Sequence, residues 1–486
     1  MISKLISPIL IVFSGVFLIP IFVGLIYGES IYSFIICGVF SLLMGLILRK
    51  VTRNVEAKLN LFRSMYFTAI SWAVLSLIGC VPYIVELDKS FVDAFFESVS
   101  GFTTTGITVF TGLDTMANSV IMWRSITQCL GGLGILTFFL FITSSSEGDM
   151  WQLFGAEGHK ISSSRPVPNV FATVRIFWFI YGTLIIVEAI LLKILGLSVF
   201  DAINHSLTTL STGGFSNHDL SIAYYKHMGY EHYKAIEYVI MLFMAFGGIN
   251  FLVHYKFVKE SKFAYFKDVE SKMFFKIIAG ATVLTLLGIQ MSRGGVFNGI
   301  EENIRNTVFQ MISVITTTGF GTVDIGSDFF PEISKQIFII LMVIGGSVGS
   351  TSGGIKVLRV IILEKIFKRE INKLRLPRNA VLPVTLNKEV VSPSEVTRVS
   401  ALVFGWIMLI IIGSFITVLF SDLNAFQGFS GMASAVGNIG PFYFSVDKMI
   451  SLSPVIKYTY IIGMFAGRLE LLPLFILFSK GITRRA

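Results

Sequence analysis

The segment Thr103-Thr104-Thr105-Gly106-Ile107-Thr108 returns in related form three more times along the chain, and this repetition decides the fold. The related segments are LSTGGF at 210–215, TTTGFG at 316–321 and SAVGNI at 434–439. Their central glycines, Gly106, Gly213, Gly319 and Gly437, lie 107, 106 and 118 residues apart. Such regular spacing predicts four copies of one structural unit.

The composition places the chain in a membrane. Hydrophobic residues make up 53% of the sequence and charged residues only 14%, whereas soluble proteins carry about 25% charged residues. Apolar runs of about 20 residues, long enough to cross the hydrocarbon layer, recur along the whole length and leave no room for a soluble domain. The first run, at about 5–27, is too long for the core of a signal peptide, so we expect it to be retained.

Ten apolar segments are predicted to cross the membrane. They lie at about 5–27, 31–49, 64–86, 121–146, 172–197, 235–258, 270–291, 335–368, 397–420 and 455–479. Each Thr/Gly segment follows a shorter apolar run, at 91–103, 200–211, 303–316 and 423–435. About a dozen residues cannot cross the bilayer, but they suit a re-entrant half-helix.

The predicted fold is therefore an all-α polytopic membrane protein. Four span–half-helix–filter–span repeats surround one pore, and two extra transmembrane helices precede them. The expected divisions are an N-terminal helix pair at 1–60 and pore repeats at 61–150, 151–262, 263–385 and 386–486.

The net charge of +9 is concentrated in alternate loops. Basic residues crowd 49–63, 256–267 and 365–378, while the short intervening loops carry aspartates such as Asp88, Asp114 and Asp324. By the positive-inside rule the basic loops are cytoplasmic, and an even number of spans then places both termini there as well. Basic clusters can also bind nucleic acid, but the flanking apolar spans favour membrane lipid as the partner.

The repeated segments are candidates for a cation filter. Glycine allows successive carbonyls to turn toward one axis, where their oxygens can replace the hydration shell of an ion. The C-terminal ends of half-helices add partial negative charge. A lone Thr-Thr-Gly is more often an ordinary glycine cap, but four copies after half-length helices favour a filter. The candidate ion-binding residues are Thr104, Thr105, Gly106, Ser211, Thr212, Gly213, Thr317, Thr318, Gly319, Val436, Gly437 and Asn438.

A second candidate element is the stretch GGSVGSTSGG at 345–354. Weakly helical backbone is tolerated at membrane depth only where it is buried in protein or lines water. The stretch therefore predicts an intramembrane loop that obstructs the pore, with close packing of helices through small residues as the alternative. The candidate gating residues are Gly345, Gly346, Gly349, Gly353, Gly354 and Arg468.

Arg468 is included because it lies near the middle of the last predicted span, where a charge is costly and usually functional. It could hold the glycine-rich loop through backbone carbonyls or repel cations in a closed pore. Pairing with a neighbouring helix for assembly alone is the other interpretation.

These segments resemble the Trk/Ktr/HKT superfamily of potassium transporters, most closely the bacterial TrkH type. The resemblance covers essentially the whole chain and rests on AFFESVSGFTTTG (94–106), NHSLTTLSTGGFSN (204–217), TTTGFG (316–321), GGSVGSTSGGIKV (345–357), GNIGP (437–441) and GRLE (467–470). The opening pair of spans points to the TrkH type over the shorter Ktr type. Two departures are Ser347, where the family frequently has cysteine, and Phe442, where it often has glycine.

The resemblance implies a K⁺ uptake subunit of the bacterial inner membrane, a homodimer with one pore in each subunit. It implies gating by cytosolic, nucleotide-binding TrkA-like subunits, K⁺ as the ion bound at the filter residues, and no tightly bound cofactor. Family filter glycines map onto Gly106, Gly213, Gly319 and Gly437, the gating loop onto 345–354 and the pore arginine onto Arg468. Serine at the first filter glycine marks Na⁺-carrying plant relatives, so Gly106 implies K⁺.

Two mechanisms remain open from the sequence. The first is passive, gated K⁺ permeation, and the second is K⁺ symport coupled to H⁺ or Na⁺, for which an intramembrane carboxylate would be expected. Glu97 is the candidate carboxylate near the filter. An enzyme is not predicted, because the sequence offers no nucleophile–base set, metal-ligand spacing or cofactor motif.

Overall fold

The computed structural model describes residues 2–54, 61–134, 137, 170–292, 299–377, 382–386, 389–471 and 473–474. Within these ranges the regular structure is helical apart from one antiparallel hairpin, in which β1 (Thr385–Leu386) pairs with β2 (Glu389–Val390). The helical polytopic architecture predicted from composition is confirmed at this level.

The helices follow the order expected from the apolar pattern. The first third of the chain contains α1 (Ile2–Val16), α2 (Leu18–Tyr27), α3 (Tyr32–Val51), α4 (Leu61–Gly79), α5 (Val81–Leu87), α6 (Phe91–Phe102) and α7 (Asn118–Gly132). The middle contains α8 (Val170–Ile194), α9 (Val199–Leu210), α10 (Ala223–His227), α11 (Tyr233–Gly248), α12 (Phe251–Lys259), α13 (Ala264–Lys267) and α14 (Val269–Ser292). The remainder contains α15 (Ile300–Ile315), α16 (Glu332–Ile344), α17 (Val357–Lys373), α18 (Pro393–Leu419), α19 (Ala425–Gly437), α20 (Val446–Ser451) and α21 (Pro454–Arg468).

Six helical stretches among the described residues are long and apolar enough to cross a membrane. They are Ser3–Tyr27, Tyr32–Val51, Phe62–Leu87, Ala172–Ile194, Val269–Ser292 and Pro393–Leu419. Helices α11 and α12 form a seventh candidate, bent by 101°. Of the other predicted spans, 121–146 and 455–479 begin with α7 and α21, which end at Gly132 and Arg468, and only 135, 136, 138–146, 472 and 475–479 lie outside the described residues.

Two predicted spans are broken rather than continuous. The span at 235–258 breaks after Gly248, because Ile249 is extended and the Asn250 side chain accepts the Leu252 amide to start a new helix. The span at 335–368 breaks into α16 and α17, and residues 345–356 between them are non-helical. The first break corrects the predicted continuous span, whereas the second contains the stretch 345–354 that the sequence predicted to be a loop. Both breaks occur at paired glycines, which weaken a helix.

Helices α6, α9, α15 and α19, of 12, 12, 16 and 13 residues, lie at the four positions where half-helices are predicted. At 1.5 Å per residue each rises roughly 18–24 Å, short of the ~30 Å hydrocarbon layer. Three have polar N-caps, because Ser90, Ser198 and Asn424 accept the amide three residues further on. Helix α15 instead begins after the left-handed Gly299.

Neighbouring repeats are joined in cyclic order by polar contacts. Between the first and second regions, Arg124 Nη1 donates to the Ser216 carbonyl at 3.0 Å, and between the second and third, Arg305 pairs with Glu237. Between the third and fourth, the Tyr443 hydroxyl donates to the Lys335 carbonyl at 2.5 Å. Lys457 Nζ in the fourth region lies 2.6 Å from Asp93 Oδ1 in the first. The last contact joins the fourth repeat to the first. The four contacts therefore form a closed series that links all four regions.

Candidate functional site

Each half-helix ends in the same backbone conformation. Thr104, Thr212, Thr317 and Asn438 have left-handed φ angles of 54°, 51°, 57° and 55°. The amide that follows each of them donates to the carbonyl five residues earlier, at 2.9, 3.0, 2.9 and 3.1 Å. This arrangement satisfies the last carbonyls of each helix and turns the chain out of it.

The shared geometry corrects the register of the repeats. Two residues after the left-handed positions stand Gly106, Gly214, Gly319 and Gly440, with φ angles of 75°, 73°, 84° and 109°. The alignment of Gly213 and Gly437 with Gly106 was therefore wrong, by one and three residues. Gly437 and Val436 belong to α19, and Ser211 is the C-cap of α9.

The physical reason for this error is that asparagine replaces threonine in the fourth repeat. Asn438 adopts the left-handed conformation easily, so the pattern Asn-x-Gly at 438–440 corresponds to Thr-x-Gly at 104–106. In the second repeat, Gly213-Gly214 offers two glycines, and only the second has a left-handed φ.

The four segments form a closed ring. A Cβ added at Gly106 would overlap the carbonyl oxygen of Gly213, one at Gly214 that of Thr318, and one at Gly319 that of Ile439. A Cβ at Gly440 would lie 3.2 Å from the carbonyl oxygen of Thr105, which closes the circle. Glycine is therefore required both for its φ angle and for the close approach of the next backbone.

Buried side chains brace this ring from behind. Gln128 Nε2 donates to the Gly213 carbonyl at 2.7 Å, and Gln128 Oε1 accepts the Phe215 amide at 3.0 Å. Asn438 Nδ2 donates to Thr105 Oγ1 at 2.8 Å and to the Met464 carbonyl at 3.0 Å. Gln128 is not among the residues predicted from the sequence, although a polar side chain within an apolar span is the signal that could have identified it.

The glycine-rich loop lies against the ring. Thr212 Oγ1 donates to Thr351 Oγ1 at 3.3 Å, and the Gly353 amide donates to Thr317 Oγ1 at 2.7 Å. A Cβ at Gly353 would also lie 3.0 Å from the Cβ of Asn438. The loop thus contacts the left-handed residues of the second, third and fourth segments.

Arg468 contacts the left-handed residue of the first segment. Its Nη1 donates to Thr104 Oγ1 at 3.3 Å and to the Thr351 carbonyl at 2.7 Å. Its Nη2 donates to the carbonyls of Gly131 and Gly132. The arginine therefore binds the loop through the Thr351 carbonyl and joins it to the end of α7, which matches the loop-holding interpretation of this residue.

Glu97 is fully engaged in structural contacts. It is buried and pairs with Arg124 at 2.9 Å. Its oxygens also accept the Thr108 hydroxyl at 2.9 Å and the Val109 amide at 3.0 Å. A buried carboxylate with this many donors is held as a partner for the arginine and positions the chain that follows the first ring segment.

A charged cluster joins the loops that follow the first two ring segments. His218 Nδ1 lies 2.6 Å from Asp114 Oδ1, and Asp219 accepts the Gly112 amide at 3.0 Å. Burial lowers the pKa of His218, but hydrogen bonds to Asp201 and Asp114 outweigh it, so the pKa stands above its usual value. The cluster fixes the two loops to each other.

Comparison with known proteins gives a consistent result. The model of the family described as TrkH, cation transport protein, matches residues 31–484. The Trk system potassium uptake protein TrkH of Escherichia coli K12 is 30% identical over 489 residues, with 99% of both chains covered. The corresponding protein of Halomonas elongata is 27% identical, with 100% of this chain and 99% of that protein covered. The crystal structure of the potassium transporter TrkH from Vibrio parahaemolyticus matches with a TM-score of 0.86 at 26% identity, covering 99% and 98% of the two chains.

The ring geometry predicts unequal effects of two glycine substitutions. Gly112 has a φ of 77°, and a Cβ there would make only an ordinary contact, 3.8 Å from Thr115 Oγ1, so Gly112→Ala should lose roughly 1–2 kcal/mol of stability through backbone strain alone. Gly214→Ala adds an overlap with the Thr318 carbonyl and should destabilise the protein more. The loss of stability of both variants is measured by thermal unfolding in detergent. Equal losses of stability would contradict the close approach described for Gly214.

Proposed function

Because the chain belongs to the TrkH family of cation transport proteins, we propose that it carries K⁺ into the cell across the bacterial inner membrane by passive, gated permeation. The observation that carries the proposal is the closed ring, in which the glycine of each segment meets the backbone of the next. Four such segments supply carbonyl oxygens from four directions to one ion path. The relatives named above are described as potassium uptake or transport proteins.

The proposed topology has ten spans with both termini in the cytoplasm. The distribution of basic residues supports this orientation, as do the six apolar helical stretches and the bent pair α11–α12. Helices α7, α16 and α21 begin the other three spans. The repeat boundaries at 61–150, 151–262, 263–385 and 386–486 belong to the same proposal.

In the proposed filter, K⁺ exchanges its hydration shell for backbone carbonyls of the corrected segments 104–106, 212–214, 317–319 and 438–440. The half-helices end at these segments, so the negative ends of their dipoles favour a cation there. Braces such as Gln128 and Asn438 keep the carbonyls from collapsing onto a smaller ion. Ser211, Val436 and Gly437, named from the sequence as ion-binding residues, precede the ring in this arrangement.

In the proposed gate, loop 345–354 and Arg468 hold the pore closed beneath the filter. Their contacts with Thr104, Thr212, Thr317 and Asn438 place a positive charge and a polypeptide segment next to all four ring segments. A cation that leaves the filter would therefore meet both a steric and an electrostatic barrier. We further propose that the chain forms a homodimer and that a cytosolic, nucleotide-binding TrkA-like subunit releases the loop.

Ion coupling is the competing mechanism. Symport driven by H⁺ or Na⁺ would need a carboxylate that can exchange its partners during transport. Glu97 instead holds Arg124, Thr108 and the Val109 amide at once. This favours the passive mechanism.

The proposed function predicts the reversal potential of purified protein in liposomes. Under a K⁺ gradient the current should reverse at the K⁺ equilibrium potential, and an added H⁺ or Na⁺ gradient should leave that value unchanged. A reversal potential that follows the H⁺ or Na⁺ gradient would instead establish coupled transport. Failure to carry K⁺ in any condition would refute the function altogether.

Deleting residues 348–352 should raise K⁺ flux. The deletion removes the Thr351 carbonyl that accepts from Arg468 and the Thr351 hydroxyl, whose one proton is shared between the Leu210 and Gly247 carbonyls. A hydrogen bond is worth ~1 kcal/mol, and a shift of ~1.4 kcal/mol changes an equilibrium tenfold. We expect about a tenfold or larger increase with unchanged preference for K⁺ over Na⁺. Thr351→Val, which keeps the loop length, should give a smaller increase. Reduced flux in the deletion variant would argue against a gating role.

Gly106→Ser should admit Na⁺. A side chain at this position must displace the Gly213 carbonyl and so distort the ring. We expect the K⁺/Na⁺ permeability ratio to fall about tenfold, equivalent to ~1.4 kcal/mol of discrimination. Gly112→Ser, outside the ring, serves as the control and should keep the original ratio. Reversal potentials under bi-ionic conditions provide the measurement.

A further inference from the structure

The bent pair α11–α12 redirects the chain where the second repeat leaves the ring. The two helices meet at 101°, with Ile249 extended and Asn250 capping α12. If α11 crosses the membrane, α12 must run close to the membrane plane. We call residues 251–267, which comprise α12, α13 and the turn between them, the basic elbow.

The outer surface of the basic elbow combines apolar and basic side chains. Phe257, Val258, Phe263 and Phe266 are 40%, 77%, 65% and 67% exposed. They alternate along the sequence with four lysines, while Glu260 is the one acidic residue of the segment. The lysines are Lys256, Lys259, Lys262 and Lys267.

This surface suits an anionic lipid bilayer. Exposed phenylalanines interleaved with lysines are typical of helices that lie in the membrane interface, with the rings among acyl chains and the ammonium groups at phosphates. A soluble acidic partner would satisfy the lysines, but it would not explain why the exposed rings lie next to α11 and α14, which cross the membrane in the proposed topology.

Polar and aromatic contacts connect the parts of the basic elbow to one another. His254 Nδ1 lies 2.7 Å from the Tyr265 hydroxyl, and His254 Nε2 lies 3.0 Å from the Phe246 carbonyl. The rings of Phe257 and Tyr265 are 5.1 Å apart. These contacts connect α12 and α13 to each other and to the end of α11. A displacement of the elbow surface is therefore transmitted to both ends of the elbow.

At its first end, the elbow is hydrogen-bonded to the glycine-rich loop. The Ser347 amide donates to the Gly248 carbonyl at 2.9 Å, and the Phe251 amide donates to the Gly349 carbonyl at 3.0 Å. The Asn250 side chain also lies against Gly349, where a Cβ would be 3.0 Å from Asn250 Oδ1.

At its other end, the elbow leads directly into Glu270, a carboxylate that is only 6% exposed. One oxygen, Oε1, accepts the Val348 amide at 2.8 Å and the Leu358 amide at 3.0 Å. Glu270 therefore holds the loop and the first turn of α17 together. Because both ends of the elbow are bonded to the loop, the elbow cannot shift without stretching these bonds.

We propose that the basic elbow binds anionic phospholipid headgroups and that this contact stabilises the closed position of loop 345–354. The inference rests on the proposed function, in which the loop is the gate. The lipid surface holds the elbow, and the elbow holds the loop through Asn250, Phe251 and Glu270. Release of the loop then requires the elbow to lift from the membrane.

The test compares K⁺ flux through the full-length protein in vesicles of phosphatidylcholine alone and of phosphatidylcholine mixed with phosphatidylglycerol. Flux per correctly oriented protein should be roughly threefold or more lower in the anionic vesicles, and the difference should shrink at high salt. Replacing the four elbow lysines with glutamine should abolish the difference. The matched control replaces four basic residues of α17 with glutamine and should retain it; these are Lys365, Lys368, Arg369 and Lys373.

Two further variants test the connection and the contact separately. Glu270→Ala should raise flux in both kinds of vesicle, and Glu270→Gln, which keeps an acceptor oxygen, should restore much of the closed state. A spin label attached to the Val258→Cys variant in anionic vesicles should be more accessible to oxygen than to a water-soluble nickel chelate. Wild-type protein treated with the same label gives the background signal from its own cysteines.

Equal wild-type flux in both kinds of vesicle would overturn the proposal, and so would a lipid effect that survives the lysine replacements. If no vesicle shows K⁺ flux, the proposed transport function fails instead. The spin label then decides the lipid contact independently, because a label that prefers the nickel chelate would place the elbow in water.

Discussion

The close approach of backbone to backbone at four points is the constraint on which the rest of this structure depends. Gly106, Gly214 and Gly319 each leave no room for a side chain beside the next carbonyl, and Gly440 closes the circle against Thr105. Such an approach needs four short helices that end at the same depth and turn out of the helix in the same way. The left-handed residue after each helix supplies that turn. The longer helices serve to hold these ends in place.

Burial of charge follows from the same constraint. A ring surrounded by apolar helices must be fixed by polar contacts that water cannot reach, and a buried charge is tolerated only with a partner. Arg124 with Glu97 and Arg305 with Glu237 satisfy this requirement inside the protein. Arg468 does so differently, because it bonds to backbone carbonyls of the loop and of α7. Its bonds therefore depend on where the loop lies, whereas the carboxylate pairs join helices to one another.

The sequence predicted the half-helices within a few residues because their length is set by apolar runs between polar caps, as at Ser90 and Asn424. It also predicted that 345–354 is not an ordinary span. The register of the ring was predicted correctly for Gly106 and Gly319 only. In the fourth segment Asn438 stands where the other segments have threonine. The residue types differ, so the sequence alone does not show that asparagine and threonine adopt the same φ angle here.

The long-range contacts could not be predicted from the sequence, for a related reason. The break at Ile249 and the brace by Gln128 depend on segments more than 80 residues away, such as the loop that bonds to Gly248 and the carbonyl of Gly213. Local periodicity carries no information about such partners. Predicted spans 121–146 and 455–479 end outside the described residues, so their full extent stays a prediction.

The ring is built from one polypeptide, and its four quarters are encoded separately. In an assembly of four identical chains, any substitution changes every quarter at once. Here Asn438 differs from its three threonine counterparts, and its amide reaches two partners that a threonine could not. If the ring is the proposed filter, mutation can therefore change one of its four walls while the other three keep their shape, so ion preference can be altered in smaller steps.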